Sequence, residues 1–138
     1  MSIYTIPAPD APAEDWGRLA NSLPGWRWMP GMRIVVPPQQ DGATGYQSRV
    51  TDVGWPTEDD SGRWPGPDDP ATEGCMLRLL GRPLYAVVPT GPAWWVTLTL
   101  LDHPDSDEDG LLQIRGTTLG RACIAAAASL GRWPGGEG

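Results

Sequence analysis

The sequence predicts an α+β fold: a three-layer α-β-α sandwich on a mainly antiparallel sheet with helices on both faces. Three observations predict it. The elements run helix, two strands, helix, two or three strands, helix, and one sheet flanked by helices buries the most apolar area for that order. Apolar residues recur at helical spacing in three segments and alternate with polar ones in others. The chain has 138 residues, enough for one compact domain and too few for two ordinary ones. The domain is placed at 10–131, with an extended segment at 1–9, a long loop at 54–67 and a flexible tail at 132–138.

The first helix is signalled by Asp10, with Pro12 and Glu14 in its opening turn. Trp16, Leu19, Ala20 and Leu23 give it one apolar face, and Pro24-Gly25 ends it. Residues 26–36 read as a strand, broken or bulged at Pro30-Gly31, with Met32, Ile34 and Val36 on one face. A turn rich in Pro and Gly leads to a partner strand at 46–53. Residues 54–67 hold Gly, Pro, Asp, Ser and two Trp, and read as an irregular loop.

Asp69 is a suitable N-cap for the second helix, and Pro70 suits its first position. Cys75, Met76, Leu79 and Leu80 form its stripe, and Gly81 stops it. A short β run at 84–88 and a turn at 90–92 precede the strongest strand, 93–101, with Trp94, Val96, Leu98 and Leu100 on one face. An acidic turn at 102–110 leads to a strand at 111–115. The last helix opens at Thr117, runs through four consecutive Ala and ends at Gly131.

Composition excludes more than it assigns. The formal net charge is −7, and all ten basic residues are Arg. That charge opposes non-specific nucleic-acid binding, which rests on neutralising phosphates with cations. It fits solubility, a basic protein partner or nucleic-acid mimicry. No signal peptide and no apolar run of transmembrane length is read, so neither membrane attachment nor export is expected. Cys75 and Cys123 read as buried free thiols on helices.

No motif states a chemistry. Residues 105–110 match the start of an EF-hand loop, but the twelfth position is Gly116, which carries no carboxylate for calcium. His103 is the single His and lacks the partners of a triad or zinc site. The carboxylates at 58–60, 68–69 and 105–109 read as solvated charge runs. No metal, no cofactor and no catalysis are expected.

The binding candidates are aromatic and Arg residues. Trp26 and Trp28 share a strand face, as core or as a stacking surface, with Arg27 on the other face. Trp55 and Trp64 either anchor the long loop or are contact residues. Arg27, Arg33, Arg49 and Arg115 are strand-borne candidates for phosphate, which guanidinium binds in bidentate fashion.

Three motifs carry a likeness to a known family. A helix is followed at once by Gly25-Trp26-Arg27-Trp28-Met29-Pro30-Gly31-Met32. Asp68-Asp69-Pro70-Ala71-Thr72 with Gly74-Cys75-Met76-Leu77 opens a helix. A Trp-bearing strand precedes Thr117-Thr118-Leu119-Gly120-Arg121-Ala122-Cys123. In these the chain resembles small phage and prophage proteins with the phage ABA-sandwich domain, across most of residues 13–131. The resemblance implies an α-β-α sandwich, a phage origin and the cytoplasm of the infected bacterial host, and it carries no catalytic residues. The leading expectation is a non-catalytic counter-defence protein. It either binds a host defence protein or sequesters a cyclic-nucleotide-type signal. The alternative is a structural or morphogenetic phage accessory protein without a small ligand, and either can oligomerise.

Overall fold

The structure, a computed structural model, describes residues 4–36, 45–50, 63–99 and 110–136. Trp55, His103, the EF-hand-like turn at 105–109, the first part of the long loop and the last two residues lie outside them.

Helix α1 (Ala13–Ser22) is followed by strands β1 (Arg33–Val36), β2 (Tyr46–Arg49) and β3 (Trp64–Pro65). Helix α2 (Pro70–Leu80) leads to β4 (Leu84–Thr90), β5 (Ala93–Thr99) and β6 (Leu111–Gly116), then helix α3 (Leu119–Leu130) and a 3₁₀ turn at Pro134–Gly136. All strand pairs are antiparallel, and the class is α+β as expected. The strands do not form one sheet, however. They divide into two, ordered β2-β1-β3 and β4-β5-β6.

The reason lies in α3. Residues 122–128 are buried on every side, so this helix is enclosed instead of lying on a sheet with one face to water. It packs on β5 and β6 with one side and on α1 and α2 with the other. Its Ala run keeps it thin enough for neighbours to approach closely. Helix α1 in turn packs on β3, which joins the smaller sheet to the helical layer. Val96, Leu98, Ile124, Met76, Leu79, Leu80, Ile34 and Met32 fill the shared core. No helix among the described residues is long and apolar enough to cross a membrane.

Four local expectations need correction. The strand placed at 26–36 is regular only from Arg33. Gly31 adopts φ +97° next to Pro30, which removes the segment before it from the ladder. Trp26 instead stands edge-on to Trp28, with ring centroids 5.5 Å apart, and to Trp133 at 5.6 Å. Both are half-buried against the core, and Arg27 between them is exposed.

Trp64 does not belong to an irregular loop. It forms β3, paired with Val35 of β1. The tail, expected to be free, is anchored through residue 136. Trp133 is fully buried, its indole N–H donates to the Ala20 carbonyl at 2.9 Å, and its backbone N–H to Pro24 at 2.8 Å. Helix α1 starts after Pro12 without a side-chain cap, so Asp10 does not begin it. The extended segment before it is held by Trp16, whose indole N–H donates to Ala8 at 3.1 Å.

Candidate functional site

The site grows from the dipeptide Asp68-Asp69. Asp69 caps α2 as its sequence implies: the Oδ2 atom accepts from the Thr72 N–H at 3.1 Å and from the Thr72 hydroxyl at 2.9 Å. The register of β1 and β2 sets Arg33 opposite Arg49. Residues opposite one another on an antiparallel pair share a face, and like charges there repel unless an anion intervenes. Asp69 is that anion. Arg49 grips both its oxygens, Nη1 to Oδ2 at 2.9 Å and Nη2 to Oδ1 at 2.8 Å. The Arg33 Nε lies 3.5 Å from Oδ1, near enough for charge attraction but without hydrogen-bond geometry.

The side chain of Asp69 is 7% exposed, against 40% for Arg33 and 46% for Arg49. The bidentate hydrogen bonds from Arg49 hold the Asp69 carboxyl well below the usual carboxylate range, against the opposing effect of burial, and the Thr72 donors lower it further. The same bonds raise the Arg49 guanidinium above its ordinary value. Thr72 also accepts the Arg33 backbone N–H at 2.8 Å, so α2 is tied to β1 through main chain and side chain together. Gln47, in β2, accepts from Arg33 Nη1 at 2.6 Å.

Asp68 turns the other way. Arg121 of α3 meets its Oδ1 with Nε and its Oδ2 with Nη2, each at 3.1 Å. The remaining Arg121 Nη1 donates to the carbonyls of Pro9 at 3.0 Å and Ala11 at 2.6 Å. The Thr118 hydroxyl donates to Asp68 at 2.6 Å. Nearby, Glu73 accepts the Gly120 N–H at 2.9 Å. Burial pushes the Glu73 carboxyl up, the Gly120 bond opposes this, and Asp68 and Asp69 add to it. The pair at 68–69 is thus a junction between three elements, not the solvated charge run its composition predicted.

Between the first hairpin, β3 and the start of α2 lies a cleft of about 400 Å³, within the size range of small-ligand sites. Arg33, Gln47, Trp64, Asp68 and Asp69 supply its polar lining, with Val35, Ala13, Pro67 and Pro70 as apolar wall. Among the described residues three buried side-chain N–H groups have no hydrogen-bond acceptor: the indole Nε1 of Trp26, the indole Nε1 of Trp64, and Arg33 Nε, which is left with the charge attraction of Asp69.

Among the sequence candidates the structure brings Arg33 and Trp64 together in the cleft lining, and Arg33 and Arg49 together on Asp69. It does not bring in Trp26, Arg27 or Trp28, which lie in the segment before β1, nor Arg115, which is exposed on β6 opposite Trp95 in the other sheet. Trp64 is 8% exposed and packs its ring on Gly17 of α1, so it offers no open stacking face. Gln47, Asp68 and Asp69 were missed as cleft residues. The signal for Asp69 was present in its cap position; that for Gln47 required the strand register. The chain matches no family profile, no curated protein and no solved structure.

Proposed function

We propose that the protein is a non-catalytic binding protein, encoded by a phage, that blunts a host defence by holding an anionic signal molecule in the Arg33–Trp64 cleft. One observation carries this reading: the half-exposed guanidinium side chain of Arg33 lines the cleft, next to the exposed Gln47. An anion there meets the positive charge of Arg33. The phage origin and the counter-defence role rest on the family resemblance of the three motifs.

A second reading draws on a different surface. Tyr85 and Val88 of β4 are 67% and 46% exposed, and Val88 pairs with Trp95 across the strand. Aromatic and aliphatic groups displayed on a sheet face suit a protein partner, such as a defence effector.

The test is expression in bacteria carrying a panel of anti-phage systems, with phage plating measured for each. The wild-type chain is expected to disable at least one system. Arg33→Ala is expected to restore restriction by tenfold or more, and Tyr85→Ser with Val88→Ser to leave the protein active. If the β4 changes abolish activity and Arg33→Ala does not, the second reading replaces the first. If every system still restricts its phage, the counter-defence role fails.

A further inference from the structure

We infer that the protein pairs with a second copy of itself through strand β6, edge to edge and antiparallel about a two-fold axis at Gln113. The inference stands apart from the cleft, which belongs to the other sheet.

In the sheet ordered β4-β5-β6, both β4 and β6 are edge strands, and the two edges are built differently. The hairpin of β4 and β5 fixes which backbone groups face outward. Its two-residue turn, Gly91-Pro92, is closed by the pair Thr90–Ala93, and a pair that closes such a turn is hydrogen-bonded. Hydrogen-bonded and non-hydrogen-bonded pairs alternate along an antiparallel ladder, so Val88–Trp95 and Ala86–Thr97 are hydrogen-bonded as well. Val87 and Pro89 therefore turn their backbone groups away from β5. Pro89 has no N–H to offer, and the register shifts between Leu84 and Ala86. A proline and a bulge both blunt an edge against pairing.

The opposite edge has neither. The same alternation points Trp94, Val96 and Leu98 of β5 at β6, where they pair with Gly116, Ile114 and Leu112 without a register shift. That turns the backbone N–H and C=O groups of Gln113 and Arg115 outward, and both residues are exposed. Among the described strands none lies on that side. A regular edge with outward donors and acceptors is a template for another strand.

Charge selects a second copy as that strand. Arg115 is the single charged side chain on β4, β5 and β6, and it has no ion pair among the described residues. Antiparallel pairing about Gln113 sets Arg115 of each copy opposite Leu111 of the other, so like charges do not face each other. It also brings each Arg115 to the end of the other β6 at which the stretch 102–109, with five carboxylates, joins that strand in sequence. A two-fold contact uses the same edge on both copies and closes at two. One strand pair is small beside a standard interface, so the dimer is expected to dissociate on dilution, with a Kd on the order of 10–100 µM.

The experiment is sedimentation equilibrium of the full chain from about 5 µM to about 500 µM, a range that spans this Kd. The wild-type mass is expected to rise from one chain towards two and no further. Gln113→Pro removes the central N–H without touching a bond to β5, and is expected to hold the mass at one chain throughout. Arg115→Glu is expected to weaken the dimer tenfold or more. Gln113→Cys sets two thiols opposite each other at the axis, with Cα atoms about 5.5 Å apart, a span that suits a disulfide. Oxidation is expected to cross-link that variant between copies, and to leave Arg115→Cys, which faces Leu111, at the wild-type level. A mass of one chain at every wild-type concentration overturns the inference, and so does growth beyond two chains. An undiminished dimer in folded Gln113→Pro overturns it as well, as does cross-linking of Arg115→Cys as fast as of Gln113→Cys. Where circular dichroism shows that Gln113→Pro does not fold, the two cysteine variants decide the matter.

Discussion

Asp69 shows how one residue can hold two roles that the sequence displays unequally. Its position before Pro70 announces a helix cap, and the Thr72 bonds fulfil it. Its second role, as counter-ion to Arg33 and Arg49, was not legible because Arg49 lies 20 positions away and the register of β1 on β2 decides the meeting. Asp69→Ala removes the cap and leaves two facing Arg, and is expected to cost about 2–4 kcal/mol in urea unfolding. Asp69→Asn keeps the cap and is expected to cost less.

The two perturbed carboxyls also predict opposite pH effects. Asp69 titrates lower in the folded chain than in the unfolded one, so its stabilisation is present above about pH 4 and is lost as pH falls towards its folded value. Glu73 titrates higher when folded, so its ionisation opposes folding at neutral pH and that cost is relieved on mild acidification. Unfolding measured from pH 7 to pH 2 should show a small gain and then a loss. Glu73→Gln, which can still accept the Gly120 N–H, should erase the gain and leave the loss.

At the scale of elements, periodicity found what periodicity can find. Helix α2, strand β5 and the Ala-rich α3 stand where the spacing put them, although Cys75 of the α2 stripe is only half-buried, burial along β5 does not alternate, and Thr118, not Thr117, caps α3. The failures share a cause, which is that distant contacts override local pattern. Residues 26–32 looked like a strand because they are aromatic and apolar, yet Trp26 packs on Trp133 from the far end of the chain. The tail looked free because it is rich in Gly and Pro, yet one buried Trp fixes it. Trp133→Ala, or removal of residues 133–138, is expected to cost about 3–5 kcal/mol, enough to unfold a marginal domain, and is read by thermal unfolding. Helix α1 meets β3 at Gly17, where a methyl group would lie 2.5 Å from the Pro65 carbonyl and 2.6 Å from the Trp64 ring. Gly17→Ala gains about 1 kcal/mol in helix propensity but must displace β3. A net loss of about 1–2 kcal/mol is expected, with weakened ligand binding because Trp64 shifts.

For the whole molecule, the net charge of −7 is distributed unevenly, and the described cleft lining holds Arg33 together with Asp68 and Asp69. Asp68 pairs with Arg121, and Asp69 with both Arg49 and Arg33, which joins the small sheet, α2, α3 and the N-terminal segment at one point. The described charges at the cleft therefore serve cohesion, and Arg33 is the cation of that network that also lines the cleft. Two sheets were not foreseen because no local pattern tells strands which sheet to join; the enclosure of α3 separates them.

The central claim is that this cleft receives an anion between Arg33 and Trp64. The most direct measurement is the ¹H–¹⁵N resonance of the Trp64 indole, assigned with Trp64→Phe and followed while a small-molecule extract of phage-infected, defence-competent bacteria is added. The account predicts that this resonance shifts in the wild-type protein and stays in place in Arg33→Ala. An unmoved Trp64 resonance, with the extract shifting signals of the β4 face or none at all, would contradict it.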